Sequence, residues 1–143
     1  MIDISGKEPV QREAVAEGLI YLKRSTIDQI RKGKIKKGDV GEAAKIAGVI
    51  GAKMTPQIIP YCHSIPIESV QNEVDLMADR IRVKCTVKGT YKTGVEMDAL
   101  SCVNSMLLTI WDMVKYLEKD EEGQYVHTRI SGVRVLEKKK GRS

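Results

Sequence analysis

Residues 80–88, RIRVKCTVK, alternate without a break. Ile81, Val83, Cys85 and Val87 fall on one side; Arg80, Arg82, Lys84, Thr86 and Lys88 fall on the other. Side chains alternate across a strand with period two, so the segment predicts a strand with one buried face and one wet face, as in an antiparallel sheet. The wet face is basic, so the core has to lie on the opposite side. A cover for it is legible further along. In residues 95–117, Leu100, Val103, Leu107, Ile110, Val114 and Leu117 recur at steps of three and four, giving one apolar stripe on a long helix.

The remaining elements fall around this pair. Residues 11–22 alternate loosely and predict a strand, with Gly18 as a bulge or bend. Residues 25–32 predict a short helix, with Ser25 as N-cap, Asp28 completing a capping-box pattern and Gly33 as the stop. A second helix spans 40–54. Asp39 is its natural N-cap, and Ala43, Ala44, Ile46, Ala47, Ile50 and Gly51 predict a face of mostly small residues. It must end before Pro56, because the residue preceding a proline disfavours helical angles. Residues 55–66 carry three of the four prolines and read as an ordered loop. Strands follow at 67–77 and 125–136, and Ala78-Asp79 is short enough for a hairpin. The order is strand, helix, strand, strand, helix, strand. It predicts one α+β domain over residues 1–143: a ferredoxin-like split βαβ, with an antiparallel sheet, two main helices on one face and a short extra helix.

Composition narrows the function. No apolar run approaches the ~20 residues of a membrane helix, and the N-terminus has no apolar signal core, so a cytoplasmic protein is expected. Cys62, Cys85 and Cys102 lack CxxC spacing, which argues against a disulfide framework and a zinc ribbon. The net charge of +5 suits an acidic partner. With no Phe and one Trp, base stacking has little to work with, so a polyphosphate small molecule fits better than single-stranded nucleic acid. The lysine run Lys138, Lys139, Lys140 reads as a solubilising end.

Four clusters could carry chemistry. Lys36-Lys37-Gly38-Asp39 precedes a helix N-terminus, where phosphate can bind; without P-loop spacing, an ordinary basic loop with an Asp cap is the preferred reading on spacing alone. Tyr61-Cys62-His63 sits between Pro60 and Pro66. His63 could serve as acid, base or ligand and Cys62 as nucleophile, while the alternative is a buried thiol and a hydrogen-bonded imidazole. No third ligand is spaced for a metal. Glu96 and Asp98 fall in the first turn of the long helix, either as dipole partners or as acceptors for a guanine-like edge. Asp112 and Lys115 share one helix face, as a surface ion pair or an acid–base pair.

Taken together, these segments resemble one family. Lys37-Gly38-Asp39-Val40, Ala52-Lys53 with Thr55, Ile59-Pro60 with Cys62-His63, Lys92-Thr93-Gly94-Val95-Glu96-Met97, and Asp112-Met113 with Lys115 are similar to the cyclic pyranopterin monophosphate synthase family of molybdenum-cofactor biosynthesis. Arg12-Glu13-Ala14 and Val133-Arg134 also fit, so the likeness runs in order through nearly the whole chain. It implies a homohexamer, a trimer of dimers with sites at subunit interfaces. The implied lyase reaction converts 3′,8-cyclised dihydro-GTP to cyclic pyranopterin monophosphate and releases pyrophosphate. By position, Asp112, Lys37 and Lys115 match the catalytic residues. Tyr61, Cys62, His63, Glu96, Met97 and Asp98 match substrate-binding segments, and Arg12 and Lys53 match basic residues near the triphosphate. No cofactor, resident metal, nucleic acid or membrane is implied; a divalent cation on the triphosphate is left open. Ser64 stands where proline is usual, Asp98 where Glu is usual and Trp111 where Tyr is usual, and Lys139-Lys140-Gly141-Arg142-Ser143 replaces a Gly/Ser-rich tail. The rival reading is a non-catalytic ferredoxin-like nucleotide- or RNA-binding domain.

Overall fold

The four strands are β1 (Val10–Tyr21), β2 (Ile67–Leu76), β3 (Arg80–Tyr91) and β4 (Arg129–Lys140). In a computed structural model describing residues 1–141 they form one sheet in the order β2-β3-β1-β4, every neighbouring pair antiparallel. The helices are α1 (Arg24–Arg31), α2 (Val40–Lys53), the single turn α3 (Thr55–Ile58) and α4 (Glu96–Glu118). This is the ferredoxin-like split βαβ arrangement that the element order predicts. Arg142 and Ser143 of the basic tail lie outside the described residues.

The alternation in β3 is the organising feature. Ile81, Val83, Cys85 and Val87 are all fully buried and face the helices. On β1, Ala14, Ala16 and Ile20 do the same. α4 lays Val103, Met106, Leu107 and Ile110 over them. Gly18 permits that closeness: a Cβ there would stand 2.8 Å from Leu107 Cδ1 and 2.9 Å from Val103 Cγ1. Gly18 also lies within the register shift between β1 and β4. Small residues on α2 let it approach α4, since a Cβ on Gly48 would meet Met106 and Asn72 at 2.8 Å. On the outer face of the sheet, Glu17 is held between Arg82 at 2.7 Å and Arg134 at 2.8 Å.

Four details differ from the sequence reading. Ser25 does not cap α1. Lys23 is the cap residue, and the buried carboxylate of Glu118, reaching back from α4, accepts from the Lys23 N–H and the Thr26 hydroxyl. No side chain caps the first-turn N–H groups of α1; the long-range acid instead ties down the cap residue itself, as the acidic partner of a capping box would. The loop after α2 contains α3, with Pro56 near the helix start, where its missing N–H costs nothing. β4 begins four residues later than expected. The Asp120 carboxylate accepts from the Glu122 and Gln124 N–H groups, which holds residues 120–124 in a turn before the strand. Finally, Cys85 and Cys102 are bonded, joining β3 to α4 where their Cα atoms lie 6.3 Å apart. Each sits on the buried side of its element, so the fold brings the two thiols together.

Candidate active site

The long helix α4 carries two groups of polar side chains, one at each end. The first forms around Asp112. α1 stops at Gly33, whose φ of +66° few other residues adopt, and the chain crosses to α2 through residues 34–39. Ile35 is buried and anchors this loop; Gly38, at φ +117°, closes its turn by donating to the Ile35 carbonyl at 3.0 Å. Asp39 then caps α2 through the Glu42 N–H at 3.0 Å. The result places Lys37 against α4: its Nζ lies 2.9 Å from Asp112 Oδ2 and 3.1 Å from the Asp112 carbonyl oxygen. Lys115 Nζ lies 3.2 Å from Asp112 Oδ1. The Lys37 and Lys115 ammonium groups, in that order, hold the Asp112 carboxyl below the ordinary carboxylate range. All three side chains are roughly half exposed. Exposed ion pairs add little to stability, so this triad is poorly explained as a structural brace.

The second group surrounds the start of α4. Asp98 is 1% exposed, with Oδ2 unpartnered. Burial pushes its pKa up to about 6; the Thr55 hydroxyl and the local backbone oppose this, and the Glu96 charge adds to it. Glu96 Oε1 meets Lys138 Nζ at 3.3 Å, while Oε2 is buried without a partner. Cys62 is half-buried. Burial, and then the negative charges of Asp98 and Glu96, push its thiol up, so it stays protonated at neutral pH. That favours a wall or weak donor over a nucleophile. His63 follows at intermediate exposure, Met97 is partly exposed, and Tyr61 projects outward at 75% exposure.

Two neighbouring cavities open here. One, of about 380 Å³, is lined by Lys53, Ser64, Ile65, Glu68, Ser69 and Asp98 among others. The other, of about 470 Å³, includes Arg12, Glu13, Glu68, Ser69, Lys88 and Lys139. Glu68 and Ser69 are shared, so Lys53 and Arg12 border adjoining spaces. Sequence reasoning missed Glu68, Ser69, Lys88, Lys138 and Lys139. The signal for the first two was the imperfect alternation at the start of β2, where the register slips between Ile67 and Ser69. Lys138 and Lys139 do more than solubilise an end, since they pair with Glu96 and Glu13. Among the described residues no three His, Cys, Asp or Glu side chains gather as a metal set.

Asp98 and Asp112 are fourteen residues apart on one helix, which separates the two groups by about 21 Å along its axis. One copy of the chain therefore brings Lys37, Asp112 and Lys115 together, and separately Cys62, Glu96, Asp98 and Lys53, without joining the two.

The MoaC family model matches residues 1–141. The chain belongs to the MoaC family. Its relatives include a probable cyclic pyranopterin monophosphate synthase of Archaeoglobus fulgidus, 57% identical over 141 residues, covering 99% of this chain and 90% of that one. Proteins of the same name from Aeropyrum pernix and Sulfolobus acidocaldarius are 55% and 54% identical, with 97% and 96% of their own lengths covered. In this MoaC chain the two cavities lie at the Asp98 end of α4, and neither is lined by Lys37, Asp112 or Lys115.

Proposed function

We propose that this MoaC chain is a cyclic pyranopterin monophosphate synthase of molybdenum-cofactor biosynthesis. It converts 3′,8-cyclised dihydro-GTP to cyclic pyranopterin monophosphate and pyrophosphate. The observation that carries the reading is the Lys37–Asp112–Lys115 triad, assembled at 2.9 and 3.2 Å within a chain that matches the family throughout.

The residue chemistry suits the reaction. Lys53 and Arg12 line adjoining cavities and supply positive charge for a triphosphate, while Lys88 and Lys139 of the second cavity are paired with Glu13 and would turn to the phosphates only by leaving it. Glu96 Oε2 and Asp98 Oδ2 are buried acceptors lacking donors, and leaving them unsatisfied is costly. The N–H edge of a guanine-derived ring satisfies both. Ring rearrangement needs protons moved in both directions, and closing a cyclic phosphate requires a hydroxyl to lose its proton as it displaces pyrophosphate. Lys37 and Lys115 shuttle those protons, and ionised Asp112 orients them.

The 21 Å between the two groups is bridged by a second copy, which brings its Asp112 group to the first copy's Asp98 group. A homohexamer built as a trimer of dimers provides such pairings. The ammonium and guanidinium groups supply positive charge without a resident metal, and a divalent cation carried in on the triphosphate stays open; EDTA is the test, an unchanged rate meaning the protein's own cations suffice. This reading gives nucleic acid no part: the outward side of β3 offers no aromatic platform, Arg82 is engaged with Glu17, and Tyr21 beside it on β1 is covered by Arg80 and Arg129. A GTP-derived substrate places the enzyme in the cytoplasm. The test is to incubate the protein with the cyclised nucleotide and measure pyrophosphate. Release with formation of the cyclic monophosphate supports the assignment; binding without release would make the chain a nucleotide-binding module.

A further inference from the structure

Lys37 belongs to an exposed six-residue crossing, yet its ammonium must be held against Asp112. Two contacts fix its neighbour. The Lys36 backbone N–H donates to Tyr116 Oη at 3.0 Å, and the Lys36 ammonium sits 5.1 Å from the centroid of the same ring. Tyr116 lies one turn of α4 after Asp112, beside Lys115. We propose that Tyr116 is a positioning residue for the proposed reaction: it clamps the loop through Lys36 and so sets the place of the Lys37 ammonium at Asp112.

The geometry gives the clamp a specific task. Ile35 buries one side of the loop and Asp39 fixes its far end. Between them only Gly38 closes a turn, and its φ of +117° is a conformation the glycine can leave readily. The hydrogen bond to Tyr116 is the tie between this middle stretch and α4 that does not use Lys37 itself. Without it, Lys37 keeps its charge but loses a defined approach. A displacement of about 1 Å at a proton-transferring group is enough to cost on the order of a hundredfold in rate. In the proposed two-copy site, substrate binding rests on the Asp98 group that the other copy supplies, so the clamp acts on turnover and leaves affinity alone.

The inference rests on the proposed function for its kinetic arm, so the test carries a second readout. Tyr116→Phe deletes the acceptor and keeps the ring; Tyr116→Ala deletes both. In the full-length protein, kcat should fall about three- to tenfold in the first and about ten- to a hundredfold in the second, with KM within about twofold of wild type. Acylation of Lys37 by a succinimidyl ester, read by peptide mass spectrometry, should accelerate severalfold in Tyr116→Ala, because its ammonium leaves Asp112. Acylation of Lys53 should stay unchanged. If Lys37 acylates at the wild-type rate in both variants, the clamp does not exist, whatever the kinetics show. If wild-type protein fails to release pyrophosphate while Lys37 labelling still accelerates, the proposed function falls and the clamp stands.

Discussion

Asp98 offers a prediction whose sign and size follow from its surroundings. Its carboxyl is 1% exposed and its pKa is raised from 3.8 to about 6. In the unfolded chain it ionises near 3.8, whereas in the fold it holds its proton until about pH 6. Between those values the native state binds more protons than the unfolded state, so stability falls as pH rises. Above about pH 6 the penalty is constant, at about 3 kcal/mol from the size of the pKa change. Below the unfolded value it vanishes. Asp98→Asn removes the ionisation and should recover the loss. Urea unfolding of both proteins, at equal protomer concentration from pH 4 to 8, should show the variant gaining on wild type. About half the gain appears by pH 5 and nearly all by pH 7. Taking the difference between pH values cancels whatever the amide does on its own. A gap that stays flat across this range would show that Asp98 ionises normally and that burial is not controlling it.

The remaining predictions concern other links in the argument. Asp112→Asn and Lys37→Ala should each cut pyrophosphate release by about a hundredfold or more while leaving thermal unfolding close to wild type, because the triad is exposed; intact turnover in both would remove the triad from the mechanism. Gly51→Ala should lower stability by about 1–3 kcal/mol in urea titrations, since its Cβ would meet the Ser101 carbonyl at 2.8 Å and the Ser105 side chain. Glu118→Ala should cost about 3 kcal/mol or more by the same assay, because Lys23, Thr26 and Thr128 all donate to that buried carboxylate.

The parts of this fold legible in sequence were those set by local periodicity. The alternation of residues 80–88 gave β3 and its wet face, and the Leu100–Leu117 stripe gave α4 and its buried side. Asp39 was readable as a cap because its partner, the Glu42 N–H, is three residues away. What failed depended on distant partners. The start of α1 is held by Glu118, which accepts from the Lys23 N–H ninety-five residues earlier, and no side chain caps the helix. β4 was misplaced because its pairing with β1 slips at two points, so period two does not locate its start. The site shows the same division. Each cluster was marked by residue type, and the Lys37–Asp112 contact spans seventy-five residues that no spacing rule connects. Lys138 was passed over because a terminal lysine run has no pattern of its own; only the sheet brings it to Glu96.

The central claim is that a complete site needs the Asp112 group of one copy and the Asp98 group of another. Co-expressing Lys37→Ala chains with Glu96→Gln chains, each inactive alone, tests it most directly. Random pairing leaves both defects on the same two chains at some interfaces and opposite an intact site at others, so about a quarter of the sites should be whole. The account predicts pyrophosphate release at about that fraction of the wild-type rate. Mixtures as inactive as their parents, with hetero-oligomers demonstrably formed, would contradict it.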